Sequence, residues 1–152
     1  LGTVADVRAM DAPLVAASDG VYQLRDAGLE AAGLDDARDV TSRGAPVAAT
    51  AAGLYELGNG WMVARDGPHE TVAGDGERAH AVDAAGALYR RADREWEAVA
   101  LEAANPVDVT YTDDGTVVAT EAGSLYVTVG DGWRSRRIGV TGVEAAVAAR
   151  FA

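Results

Sequence analysis

Val117-Val118-Ala119-Thr120-Glu121-Ala122-Gly123-Ser124-Leu125-Tyr126-Val127-Thr128-Val129-Gly130-Asp131-Gly132-Trp133 decides the fold. A short apolar run ends in a turn at Gly123, an aromatic strand follows, and a Gly-Asp-Gly turn leads into Trp133. Gly accepts the positive φ that tight hairpins require, so the stretch reads as two β-hairpins in series. The same order recurs upstream. Tyr22, Tyr55, Tyr89 and Tyr126 are spaced by 33, 34 and 37 residues, and each follows a Gly by two or three positions. Leu14–Ala17, Val47–Thr50, Ala81-Val82 and Val117–Thr120 supply the apolar run before each tyrosine. Trp61, Trp96 and Trp133 follow the last three tyrosines, and Leu29 holds that place in the first repeat.

Each repeat therefore contains four short strands. The first is an Asp-Val or Thr-Val segment: Asp6-Val7, Asp39-Val40, Thr71-Val72 and Asp108-Val109. The apolar run, the tyrosine strand and the tryptophan strand complete it. Period-two alternation supports strands: Tyr22 and Leu24 share a face and Gln23 points away. Pro13, Pro46, Pro68 and Pro106 fall in connections, where no ladder donor is lost. Ala27 to Ala37 and Val143 to Ala149 have helical propensity, but Gly28 and Gly33 interrupt the first and the second repeats the first-strand register.

Units of this length, joined in series, predict an all-β array of four four-stranded antiparallel blades of a β-propeller. The expected blades are 1–35, 36–68, 69–105 and 106–142, in a single domain spanning 1–152. Residues 143–152 are then the first strand of a further blade or a closing strand. Four blades is the lower limit for a closed ring, and the expectation is an arc of a larger propeller. The first residue is leucine, which reads as a processed chain or a piece of a longer one. The regular aromatics are expected to fill the gaps between blades.

The pattern resembles propellers of the Asp-box and photosystem-assembly-factor type, with Val117 to Trp133 carrying the closest match. A full Asp-box needs S-x-D-x-G-x-T-W, and this chain has the shorter Thr128-Val129-Gly130-Asp131-Gly132-Trp133. The chain is also similar to β-propeller proteins of halophilic archaea.

Composition points the same way. The chain has 152 residues, 49% hydrophobic, with 24 acidic residues against 13 basic ones and a net charge of −11. All 13 basic residues are Arg. Such an excess repels nucleic-acid phosphates and anionic membranes, so neither is an expected partner. It suits a cytoplasmic protein of a salt-in organism, where the Debye length falls to roughly 3 Å at 1 M. With no Cys, disulfides and thiolate chemistry are excluded, and no stretch approaches the length of a membrane span.

Site chemistry is sparse. Asp6, Asp39 and Asp108 open their repeats, with Thr71 in the corresponding place of the third. In a propeller the first strand lines the channel, so these carboxylates are the candidate ligand-binding set. Their other role is to accept backbone N–H groups and fix a loop. Asp113-Asp114-Gly115 and Asp75-Gly76-Glu77 lack cation-loop spacing. His69 and His80 are expected on the surface or in loops, and no G-x-S-x-G surrounds any serine. Arg90-Arg91 and Arg134, Arg136 and Arg137 are expected on the outer part of a blade. No catalytic residue, cofactor or metal is assigned. The expected function is a protein-interaction scaffold, whose partner is another protein or the remainder of the propeller. The alternative is a hydrolase or lyase acting on a small or saccharide ligand at the channel mouth.

Overall fold

The computed structural model describes residues 5–102 and 105–148. Among these residues sixteen strands form four separate antiparallel sheets, each in sequence order. The first sheet holds β1 (Val7–Asp11), β2 (Leu14–Ala17), β3 (Gly20–Arg25) and β4 (Gly28–Gly33). The second holds β5 (Ala37–Thr41), β6 (Val47–Thr50), β7 (Gly53–Leu57) and β8 (Trp61–Asp66). The third holds β9 (His69–Gly74), β10 (Ala79–Asp83), β11 (Leu88–Ala92) and β12 (Glu95–Ala98). The fourth holds β13 (Pro106–Thr112), β14 (Gly115–Thr120), β15 (Ser124–Val129) and β16 (Gly132–Arg137). Ala27 to Ala37 runs through β4 to the first residue of β5, so the two glycines and the strand register outweigh alanine's helical propensity.

The sheets stack as blades, and three apolar clusters cement them. Leu14, Ala16 and Val21 of the first blade meet Ala37, Val40 and Ala48 of the second, with Trp61 packed alongside. Val47, Ala49 and Leu54 meet Val72, Ala81 and Trp96 of the third. Val82 and Leu88 meet Val109, Tyr111 and Val118 of the fourth, with Tyr126 and Trp133 against them. A blade with both faces apolar cannot be stable alone, so each is held by its neighbours. The second and third tryptophans also lock backward by hydrogen bonds. Trp61 Nε1 donates to Ala32 O at 2.8 Å, and Trp96 Nε1 donates to Glu56 Oε1 at 2.8 Å.

The inner strands run side by side in the order β1, β5, β9, β13. Among the described residues the ring does not close between β13 and β1. Residues 143–148 instead lie against β13, with Ala146 N donating to Asp108 Oδ2 at 2.7 Å and Ala148 N to Thr110 Oγ1 at 3.3 Å. They occupy the place of a fifth inner strand without ladder pairing, and residues 149–152 of the expected segment lie outside the described residues. Gly123 turns the fourth blade at φ 75°, and a Cβ there would overlap the Val140 carbonyl oxygen of this same returning segment.

Among the described residues one interface face of the first blade has no blade against it; Val15 at its centre is buried, and its rim is exposed. Val40, Ala48 and Tyr55 lie side by side in the second sheet, on the face that meets the first blade. Their register counterparts in the first sheet are Met10, Val15 and Tyr22. Val7, Leu24 and Leu29 share that face, and no blade precedes it among the described residues. Met10 is 67% exposed and Val7 59%.

Candidate functional site in the channel

Inner-strand register decides where the predicted carboxylates stand. Asp39 pairs across its sheet with Ala49, and Asp108 with Ala119. Thr71 pairs with Val82, and in the first blade Ala9 pairs with Ala16. Ala9 thus fills the position of Asp39, Thr71 and Asp108. Asp6 lies three residues earlier, exposed ahead of β1, where its carbonyl accepts Ser18 N at 3.0 Å. The structure brings Asp39 and Asp108 to equivalent places and leaves Asp6 apart.

Asp39 and Asp108 make the same pair of bonds. Asp39 Oδ1 accepts Val40 N at 2.8 Å, and its Oδ2 accepts Val72 N of the next blade at 2.9 Å. Asp108 Oδ1 accepts Val109 N at 2.8 Å, and its Oδ2 accepts Ala146 N. Each carboxylate ties its inner strand to the segment that follows it around the arc. Thr71 reaches the next blade differently, donating from Oγ1 to Val107 O at 3.3 Å. In the first blade Asp11, two residues beyond Ala9, takes over: Oδ2 accepts Ser42 N at 2.8 Å and Thr41 Oγ1 at 3.1 Å.

These carboxylates sit close enough to feel one another. Burial pushes the Asp39 carboxyl up to about 7, against its two backbone N–H bonds, and the charges of Asp108 and Asp11 add to the rise. Burial raises Asp108 in the same direction. Arg8 and Arg38, one residue earlier in the register, link to the next blade through Asp36 and Glu70.

A cavity of 600 Å³ opens on the inner strands. Val40, Val72 and Val109 line its apolar part, and Asp11, Arg43 and Asp75 its polar part. Asp75 is tied down by Arg78, whose Nε donates to Oδ2 at 2.8 Å, and by the backbone N–H groups of Glu77 and Arg78. Asp39 and Asp108 do not line this cavity. Sequence reading missed Asp11 and Arg43; the one signal for Asp11 was its place two residues before Pro13. Among the described residues no cluster of His, Asp or Glu is arranged to hold a metal ion.

The histidines depart from expectation. Both are buried on strands: His69 is 1% exposed and His80 7%. His69 Nδ1 donates to Gly67 O at 2.8 Å. His80 Nδ1 lies 2.9 Å from the Tyr111 hydroxyl of the next blade. Burial lowers both, His80 to about 4, so each is a neutral ring at neutral pH. Their neighbours in sequence mark inner blade strands, and that was the signal for burial.

Four stacked sheets, bridged at their inner strands and open at one face, define an arc of a β-propeller. The family model for HVO_0234-like β-propellers matches residues 1–149, and the chain belongs to that β-propeller family. No curated protein matches. Solved structures share the fold at low identity. One is a chain of the S. cerevisiae assembly of Dbp5 bound to Nup159, Gle1, IP6 and ADP, with TM-score 0.53 and 12% identity over 88% of this chain and 44% of that one. The N-terminal domain of Nup159 aligns with TM-score 0.53 and 13% identity, over 90% of this chain and 44% of that one. The N-terminal part of BBS1, in complex with ARL6, aligns with TM-score 0.62 and 19% identity, over 84% of this chain and 50% of that one. The chain spans half or less of the length of each.

Proposed function

We propose that this chain is an interaction scaffold: an arc of propeller blades whose first face is completed by another protein surface. The observation that carries the reading is the apolar rim of Val7, Met10, Leu24 and Leu29, exposed around buried Val15 on the first blade. Met10, Val15 and Tyr22 repeat the register of Val40, Ala48 and Tyr55, and Leu29 repeats that of Trp61. In the second blade that register is an interblade interface. A surface built to the interface pattern gains by being covered, at roughly 25 cal/mol per Å² of apolar area. The covering surface is a partner protein or further blades of the same propeller. Solved relatives of the fold are found in protein complexes, which is consistent with such a role. The acid excess suits cytoplasm of high salt, where the remaining surface stays hydrated and soluble.

Light scattering tests the reading. The wild-type chain is expected to self-associate through this face in multi-molar KCl. The double substitution Met10→Glu/Leu24→Glu is expected to weaken association at least tenfold, with an unchanged circular dichroism spectrum. Two carboxylates on an interface are costly to desolvate. A double variant that associates as strongly as wild type contradicts the proposal.

A further inference from the structure

Each blade junction joins two registers. The leading blade supplies Ala16 and Val21, Ala49 and Leu54, or Val82 and Leu88. The following blade supplies Val40 and Ala48, Val72 and Ala81, or Val109 and Val118. The fourth blade also carries the leading register: Ala119 pairs with Leu125 as Ala49 pairs with Leu54. No blade follows it among the described residues. The first blade carries the following register in Met10 and Val15, with no blade ahead of it among the described residues. One chain thus holds both halves of a junction, at opposite ends of its arc.

Polar groups repeat the match. Where the second blade meets the third, Arg65 lies across its sheet from Leu54, with its guanidinium 3.8 Å from the centre of the Tyr89 ring. Its Nη1 donates to Trp96 O at 3.3 Å. Arg136 holds the place of Arg65 in the fourth blade, across from Leu125, and is exposed. Among the described residues it has no ion pair. Tyr22 holds the place of Tyr89 in the first blade. Its hydroxyl is braced in the same way: Tyr22 donates to Asp19 Oδ2 at 2.8 Å, and Tyr89 to Asp83 Oδ2 at 3.1 Å. Among the described residues no cation lies over the Tyr22 ring. A guanidinium and an aromatic face attract one another at the spacing seen between Arg65 and Tyr89.

We infer that the face of the first blade is covered by the fourth blade of a second copy of this chain, head to tail, with Arg136 of one copy over Tyr22 of the other. This rests on the scaffold reading above and names the partner of its face. A head-to-tail contact closes into a ring when its rotation allows. The chain fills 44–50% of each of the three solved chains above, so two copies supply a ring of that length. Residues 143–148 stand where β1 of the second copy runs. Asp108 Oδ2 accepts Ala146 N as Asp39 Oδ2 accepts Val72 N, and Met10 is the counterpart of Val72 in β1. The segment has no ladder partner among the described residues, and Val147 is 92% exposed. It is a placeholder that a four-stranded blade displaces.

The test mixes two single-cysteine chains, Arg8→Cys and Val107→Cys, under mild oxidation in multi-molar KCl. Arg8 and Val107 hold the register position of Arg38 and Glu70, which pair across a blade junction. A mixed disulfide is expected in at least tenfold excess over either homodimer. By light scattering, Arg136→Gln is expected to weaken association of the otherwise native chain about fivefold. Ala146→Pro removes the N–H that Asp108 holds, and is expected to strengthen association several-fold. A chain that stays monomeric, a merely statistical mixture of disulfides, or an Arg136→Gln variant that associates like wild type overturns the inference. An Ala146→Pro variant no stronger than wild type overturns the displacement. If Met10→Glu/Leu24→Glu still weakens association when the mixed disulfide fails, only the head-to-tail assignment is lost; if that effect fails too, the scaffold reading is lost.

Discussion

Trp96→Ala is expected to destabilise the chain by about 3–5 kcal/mol and to lower the melting temperature by roughly 10 °C. Trp96 is 7% exposed in the cluster joining the second and third blades, against Val47, Leu54 and Val72. Truncation opens a cavity at the centre of the arc, where neither adjoining sheet can collapse without losing its own register. It also removes the indole bond to Glu56, though Arg91 Nη2 still reaches that carboxylate at 3.0 Å. Glu56 is therefore not left without a partner, and the cavity dominates the cost. Trp96→Phe separates the two effects. It keeps most of the volume and loses the bond, and is expected to cost about 1–2 kcal/mol. Urea denaturation of the three proteins checks the ordering, and an alanine variant no weaker than the phenylalanine variant contradicts it.

Asp39→Ala is expected to cost about 2–4 kcal/mol, because it leaves the N–H groups of Val40 and Val72 without their acceptor. Asp39→Asn isolates the charge. The folded-state value near 7 lies above the unfolded carboxyl near 4. The stabilisation from this titration is fully present below about pH 4 and is lost as pH rises towards 7. Asparagine does not titrate, so its deficit against wild type is expected to be largest near pH 4 and to shrink by on the order of 2 kcal/mol by pH 7.5. His80 titrates the opposite way. Its lowered value gives stability that is present above about 6.5 and lost as pH falls through about 4. That contribution is common to both proteins and cancels in their difference. Denaturant midpoints at the two pH values, at constant salt, decide the matter. A deficit that grows with pH contradicts it.

The blade architecture was legible because its signals are local. Gly before Tyr, a turn before Trp, and apolar runs of four residues each specify a hairpin without reference to the rest of the chain. The channel register was less legible, for a geometric reason. Counting back 33 residues from Asp39 gives Asp6. Between Asp11 and Leu14 the first hairpin has two connecting residues, whereas between Thr41 and Val47 the second has five. The three extra residues slide the sequence register, so Ala9 stands where Asp39 stands. Loop length is invisible to a repeat count anchored on the tyrosines. Asp11 takes over the bridging role from a position two residues along the same strand.

The histidines were misjudged for a different reason. A lone polar residue between alanines reads as surface when only its own chemistry is weighed. His80 is buried because its partner, Tyr111, comes from the next blade, 31 residues away. Tyr111 falls outside the repeated tyrosine register, so nothing in the period announced it. Residues 143–148 read as a strand and lie where an inner strand belongs. Their N–H groups reach the Glu121 carbonyl at Val143 and the side chains of Asp108 and Thr110 at Ala146 and Ala148, and no second strand pairs with them among the described residues.

The central claim is that the four inner strands form an open arc. The absence of native cysteine makes it directly testable by paired substitutions. Arg8, Arg38, Glu70 and Val107 share one register position, each just ahead of Ala9, Asp39, Thr71 or Asp108. Under mild oxidation, Arg38→Cys/Glu70→Cys, which joins neighbouring blades, is expected to form a disulfide readily. Arg8→Cys/Val107→Cys, which would join the first blade to the fourth, is expected to form none within a monomer. Equal crosslinking of the two pairs would mean that the four blades close on themselves, and would contradict the arc.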